Sequence, residues 1–156
     1  MASPPAPRPI IRTITAAETH ALRHQVLWPH KSLSYVQLPD DDTGQHFGAF
    51  VHDEHHHHHH VSRPSPPVSI ISLFIDDSGE ARFRKFATAP SWQGRGLGSA
   101  LLAHAIAAAR AAGAATIWCD ARESARGFYG RFGLEAEGGV FYKGEVAYRR
   151  MRRSLS

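Results

Sequence analysis

Residues 81–113 read ARFRKFATAPSWQGRGLGSALLAHAIAAARAAG, and this stretch decides how the rest of the chain is understood. Its first part, Ala81–Thr88, has strand composition, but Phe83 and Phe86 are three residues apart and out of phase with a two-residue period. A bulge near Arg84–Lys85 returns both rings to one side and leaves backbone groups open to an extended ligand. Gln93-Gly94-Arg95-Gly96-Leu97-Gly98 then feeds into a helix. Three alternating glycines let the backbone curl and approach a ligand without Cβ obstruction. The helix start behind them presents free N–H groups and the positive end of a dipole, which suits a pyrophosphate, with Arg95 and Ser99 as extra donors. Leu97–Ala112 carries the helix: Leu97, Leu101, Ala105, Ala108 and Ala112 form one apolar stripe, with Leu102, Ile106 and Ala109 beside it. Gly113 stands where a helix-ending glycine belongs.

Working outward, Thr116–Cys119 is predicted as a buried strand and Glu123–Phe132 as a short helix closed by Gly133. Phe141–Tyr142 and Val146–Met151 form a final hairpin through Lys143-Gly144. Upstream, Ile10–Ile14 reads as a strand. Thr15-Ala-Ala-Glu18 has the spacing of a capping box and opens a helix that Pro29 ends. His46–His52 and Val68–Ile75 are strands, the second apolar on both faces and therefore central. The fold class is mixed α/β (α+β): one domain over residues 10–156, with a mostly antiparallel central sheet flanked by helices. Residues 1–9 are a flexible leader, and 53–67 form a surface loop.

Bulk properties narrow the function classes. The chain has 156 residues, 42% hydrophobic and 21% charged, enough for one domain with a sizeable core. No run approaches the roughly 18 apolar residues of a membrane span. Cys119 is the only cysteine, which excludes an internal disulfide and fits a reducing, cytoplasmic compartment. Residues 1–78 hold five Lys/Arg against eight Asp/Glu, and residues 79–156 hold thirteen against six. A basic half suits a phosphorylated cofactor. Nucleic acid fits less well, since no zinc-finger, RNP or helix-turn-helix signature accompanies the charge.

Three segments together, Arg84–Pro90, Gln93–Gly98 and Ala125-x-x-Phe128-Tyr129-x-x-Phe132-Gly133, resemble the GNAT superfamily of N-acetyltransferases. The resemblance covers roughly residues 80–135 and implies acetyl-CoA as cofactor and an amine, on a small molecule or a peptide, as acceptor. It implies that the backbone of Phe86, Ala87 and Thr88 holds the pantetheine arm like an added strand. Gln93, Gly94, Arg95, Gly96, Leu97, Gly98 and Ser99 hold the pyrophosphate. Tyr129 contacts the cofactor and protonates the departing thiolate, while a backbone N–H at Phe86 or Ala87 stabilises the oxyanion. Where many members carry asparagine seven residues before the tyrosine, this chain has Arg122, a further cofactor contact.

No acidic residue on strand 81–88 offers a general base. Asp120 is the nearest carboxylate, itself equally a loop or capping residue, and Glu123, His46, His52 and an ordered water are the other candidates. The acceptor side falls on Leu27–Leu38. There Trp28, His30 and Tyr35 suit an apolar or aromatic amine, while Asp40–Asp42 suit a cationic one. His55–His60 give no fixed tetrahedral spacing and are expected to bind metal only adventitiously. Two other readings stand beside this one: a non-catalytic acyl-CoA- or metal-binding protein on the same fold, and a dinucleotide-binding oxidoreductase built on Gly94-x-Gly96-x-x-Ser99 with Asp120 as the ribose acid. A homodimer through the terminal hairpin is left open.

Overall fold

The computed structural model describes residues 8–51 and 65–156. The leader and His52, His55–His60 and their flanks, for which expectations were stated above, lie largely outside the described residues.

The expected elements form, with shifted ends. The strands are β1 (Ile10–Ile14), β2 (Gln45–Phe50), β3 (Ser69–Ile75), β4 (Glu80–Thr88), β5 (Thr116–Arg122), β6 (Glu135–Lys143) and β7 (Val146–Ser154). They hydrogen-bond in the order β1-β2-β3-β4-β5-β7-β6, a seven-stranded, mostly antiparallel sheet of the expected mixed α/β class. The helices are α1 (His20–Leu22), α2 (Leu97–Ala111) and α3 (Arg126–Gly130).

Helix α1 is a single turn within a longer helical run. A 3-10 turn, Ala17–Thr19, precedes it and a π turn, Arg23–Leu27, follows. The capping box is present in full. Glu18 N–H donates to Thr15 Oγ1 at 3.2 Å, and Thr15 N–H donates to Glu18 Oε1 at 3.0 Å. Trp28 leaves helical geometry at φ −139°, one residue before Pro29.

Contacts divide the described residues into two units. The first comprises residues up to 72 together with 85–104. Its core holds Ile14, Leu22, Phe50, Ile70 and Ala87, with Val26, Leu27 and Ala89 packed against them. β3 is mostly apolar, with Ser69 and Ser72 as its polar members, and is buried from Ser69 through Leu73, the burial expected of a central strand.

The second unit comprises 73–84 and 105–156. Here β5 pairs in parallel with β4 over Glu80–Arg82 against Thr116–Trp118, and antiparallel with β7 along its whole length. Two expectations need correcting. β5 runs three residues past Cys119 and alternates in burial: Ile117, Cys119 and Ala121 are buried, while Trp118 and Asp120 are half-buried. β6 begins at Glu135, well before Phe141, because the register shift between Glu137 and Phe141 absorbs Gly138 and Gly139. In α2, Leu97, Leu101, Leu102, Ala105, Ile106 and Ala109 are buried but Ala112, assigned to the stripe, is exposed beyond the helix end.

Candidate active site

The first unit contains the glycine-rich loop. β4 leaves extended geometry at Lys85, whose φ is +53°, where the sequence places a bulge. Phe83 is buried and Phe86 half-buried. A 3-10 turn, Pro90–Trp92, follows the strand, and the loop then enters α2.

The three glycines do different work. Gly94 and Gly96 have φ of +76° and +84°, which side-chain-bearing residues adopt at a cost. A Cβ placed on either meets nothing within 4 Å, so their backbone is open to a ligand. Gly98 has no positive φ, and a Cβ there meets the Phe86 ring at 3.3 Å. The Phe86 ring therefore leaves little room for a side chain at this position. Ala100 N–H is bonded to Gly96 O at 3.1 Å, which leaves the N–H groups of the first turn, Leu97 to Ser99, without helical acceptors. An anion is the chemical complement of such a loop.

Three residues assigned to the cofactor have local partners. The Gln93 amide donates to Thr88 O at 2.9 Å and ties the loop to the end of β4. The Arg95 guanidinium lies 4.8 Å over the Trp92 ring. Thr88 Oγ1 is hydrogen-bonded to Ser69 Oγ at 2.8 Å, a second tie on the strand end.

The acceptor-side aromatics meet. Trp28 and Tyr35 form a T-shaped pair with centroids 5.1 Å apart. The Lys85 ammonium lies 4.1 Å over Trp28 and that of Lys31 5.0 Å over Tyr35. His30 is exposed. The Asp40–Asp42 run is divided: Asp41 is buried, Asp42 exposed.

Behind that segment lies a polar network that the sequence reading missed. Arg23 is wholly buried and forks onto both oxygens of Asp41 at 2.9 Å each. It also donates to Val36 O and Ser72 Oγ, both at 3.0 Å. Leu38 N–H donates to Asp41 Oδ2 at 2.9 Å. Burial pushes the Asp41 pKa up, but the Arg23 and Leu38 hydrogen bonds outweigh it and the net direction is down. His46, one of the base candidates, is buried in this network, with Nδ1 2.7 Å from Ser72 Oγ and Nε2 2.9 Å from Asp41 O. Both ring nitrogens are engaged, so it is a structural histidine here.

In the second unit Tyr129 stands half-buried on α3, with its ring 5.7 Å from Phe83 and 5.1 Å from Phe128. Burial raises its pKa above the ordinary tyrosine range and Cys119 adds to the rise, so the hydroxyl keeps its proton through neutral pH. Cys119 is buried, and burial, seconded by Asp120, pushes its thiol up to about 12. It is not a thiolate nucleophile at neutral pH.

Asp120 accepts from Arg82 at 3.3 Å and from Arg150 at 3.1 Å, and those two guanidiniums flank the Trp118 ring at 4.4 and 4.0 Å. Both carboxylate oxygens are thus engaged in an arginine–tryptophan cluster. Glu123 is likewise held, by Arg126 at 2.9 Å and Arg149 at 3.2 Å. Arg122 is exposed at the end of β5. Among the described residues, no group of three or more His, Cys, Asp or Glu is placed to hold a metal, and no helix is long and apolar enough to cross a membrane.

Comparison with known proteins bears on the family and the fold. The model of the Acetyltransferase (GNAT) family matches residues 15–134. The chain is 26% identical over 133 residues to the uncharacterized N-acetyltransferase YitI of Bacillus subtilis, covering 84% of this chain and 85% of that protein. In fold it is similar to Escherichia coli ElaA, with a TM-score of 0.75 and 12% identity over 94% of this chain and 99% of that one. It is also similar to a Bacillus subtilis acetyltransferase solved in complex with CoA, with a TM-score of 0.68 and 18% identity over 96% and 100%.

Proposed function

We propose that this chain, which belongs to the GNAT acetyltransferase family, moves an acetyl group from acetyl-CoA to a primary amine by direct attack in a ternary complex. The observation that carries the reading is the loop itself: two positive-φ glycines with open space before them, leading into the free first turn of α2. The CoA bound by a solved relative of the same fold supports the choice of cofactor.

Acetyl-CoA supplies an activated acetyl thioester. The amides of Gly94–Gly98, with Ser99, bind its pyrophosphate. Gln93 contributes by anchoring the loop on Thr88. The backbone of β4 from Phe86 holds the pantetheine arm, and an N–H at Phe86 or Ala87 donates to the carbonyl oxygen as it gains negative charge. Tyr129, loaded with its proton at neutral pH, donates to the leaving sulfur. Arg122 is a further contact to the cofactor. Trp28 and Tyr35 border the acceptor. Asp120 is not the base we assign, since both of its oxygens serve Arg82 and Arg150. The amine reaches the site in its neutral form or passes its proton to water. The one thiol in the chain stays protonated, which agrees with a mechanism lacking an acyl-enzyme. A soluble, cytoplasmic protein fits this chemistry.

The test is steady-state thiol release with acetyl-CoA and a panel of amines. Intersecting double-reciprocal lines are expected. Parallel lines contradict direct attack. Saturable acetyl-CoA binding with no turnover on any amine supports a pure binder on this fold instead.

A further inference from the structure

The chain has fifteen arginines but only three lysines: Lys31, Lys85 and Lys143. Two of the three sit on one aromatic pair, Lys85 over Trp28 and Lys31 over Tyr35. The third, Lys143, lies 4.6 Å over Tyr148 in the terminal hairpin, in comparable cation–π surroundings. Lys85 has a further peculiarity. It occupies the left-handed break of β4 and directly precedes Phe86, the first residue assigned to the cofactor's arm. Consecutive Cα atoms are about 3.8 Å apart, so the root of the Lys85 side chain adjoins that backbone. Its ammonium, on a flexible four-carbon stem, rests on the aromatic ring assigned to the acceptor. An amine on that ring is what the acceptor site is built to present.

We infer that Lys85 is an internal acceptor, and that the protein acetylates itself there when no external amine fills the Trp28–Tyr35 pair. The inference rests on the acetyltransferase reading above. In the step, unprotonated Lys85 Nζ bonds to the acetyl carbon and the C–S bond of the thioester breaks. CoA leaves as a thiolate and takes up the proton that the nitrogen releases, giving free CoA and an amide. No other reactant is needed. Acetylation removes the lysine charge and with it the cation–π contact on Trp28, so the modified protein presents that ring differently to acceptors.

The experiment is incubation of the full-length protein with acetyl-CoA alone, with peptide mass spectrometry following all three lysines over time. Lys143 serves as the reference for uncatalysed acetylation. Lys85 is expected to be labelled at least about tenfold faster than Lys143, since a positioned nucleophile has a high effective concentration. Lys85→Arg, which keeps the charge and the backbone demand, should abolish that label. Gly96→Val should bring Lys85 down to the Lys143 rate. Equal rates at Lys85 and Lys143, label at Lys31 alone, or unchanged labelling in Gly96→Val would each overturn the inference. Calorimetry with acetyl-CoA separates the two failures. Binding without Lys85 label defeats only self-acetylation, whereas no binding defeats the acetyltransferase reading as well.

Discussion

Replacing Arg23 by methionine should cost about 3–5 kcal/mol of stability, the usual penalty for leaving one partner of a buried pair alone. The structure explains why the cost falls in that range. Arg23 is fully buried and makes four hydrogen bonds: two to Asp41, one to Val36 O and one to Ser72 Oγ. Methionine fills most of the volume but strands a carboxylate that is itself 8% exposed. For a domain of this size each kcal/mol is worth about 2–4 °C, so Tm should fall by about 6–20 °C, read by circular dichroism or calorimetry. Two internal checks follow. Asp41→Leu added to Arg23→Met should recover at least about 1 kcal/mol, because the stranded charge is gone. Full recovery is not expected, because Leu38 N–H loses its acceptor. The Arg23→Met deficit should also narrow in acid, since without Arg23 the burial of Asp41, the largest influence on it, is opposed mainly by the Leu38 hydrogen bond and favours the protonated form. A loss under about 3 °C, or two single losses that simply add, would refute the reasoning.

Three further outcomes follow from the same contacts. Tyr129→Phe should lower kcat by about a hundredfold with the Kd for acetyl-CoA unchanged, which thiol release and calorimetry measure separately; equal loss in both would make Tyr129 a binding residue. Gly96→Val forces a β-branched side chain to φ +84° and should abolish acetyl-CoA binding while costing about 1–2 kcal/mol of stability, so a variant that binds normally contradicts the loop assignment. Acid should destabilise the fold in two windows. Burial, then Arg23, lowers the His20 pKa from 6.5, so the unfolded chain takes up that proton first and Tm falls as pH drops below about 6.5. Asp41, also held low, withdraws its contribution only as pH falls below about 3.8 and through its folded value. A thermal scan from about pH 8 to pH 3 checks both, and His20→Asn should flatten the upper window.

What the sequence disclosed was local or periodic. The capping box at Thr15 and Glu18 needs only four residues, and it forms as spaced. The loop at Gly94–Gly98 was legible because positive φ restricts residue choice strongly, although only the structure separates conformational need at Gly94 and Gly96 from packing at Gly98. The out-of-phase Phe83 and Phe86 located the break at Lys85 to within a residue. The network of Arg23, Asp41, His46 and Ser72 was not legible. Its members are up to 49 residues apart, and nothing in a run of three aspartates says which one is buried. The same holds for Asp120: its spacing within the motif region suggested chemistry, whereas its arginine partners come from β4 and β7. The length of β6 was hidden by Gly138 and Gly139, which interrupt the strand pattern without ending the strand.

The most direct test of the central claim is calorimetric titration of the protein with acetyl-CoA beside NAD and NADP. Saturable micromolar-range binding of acetyl-CoA, absent in Gly96→Val and absent for either nicotinamide cofactor, is the predicted result. Binding of NAD or NADP, or of none of the three, would contradict the assignment of the Gly94–Gly98 loop and the mechanism built on it.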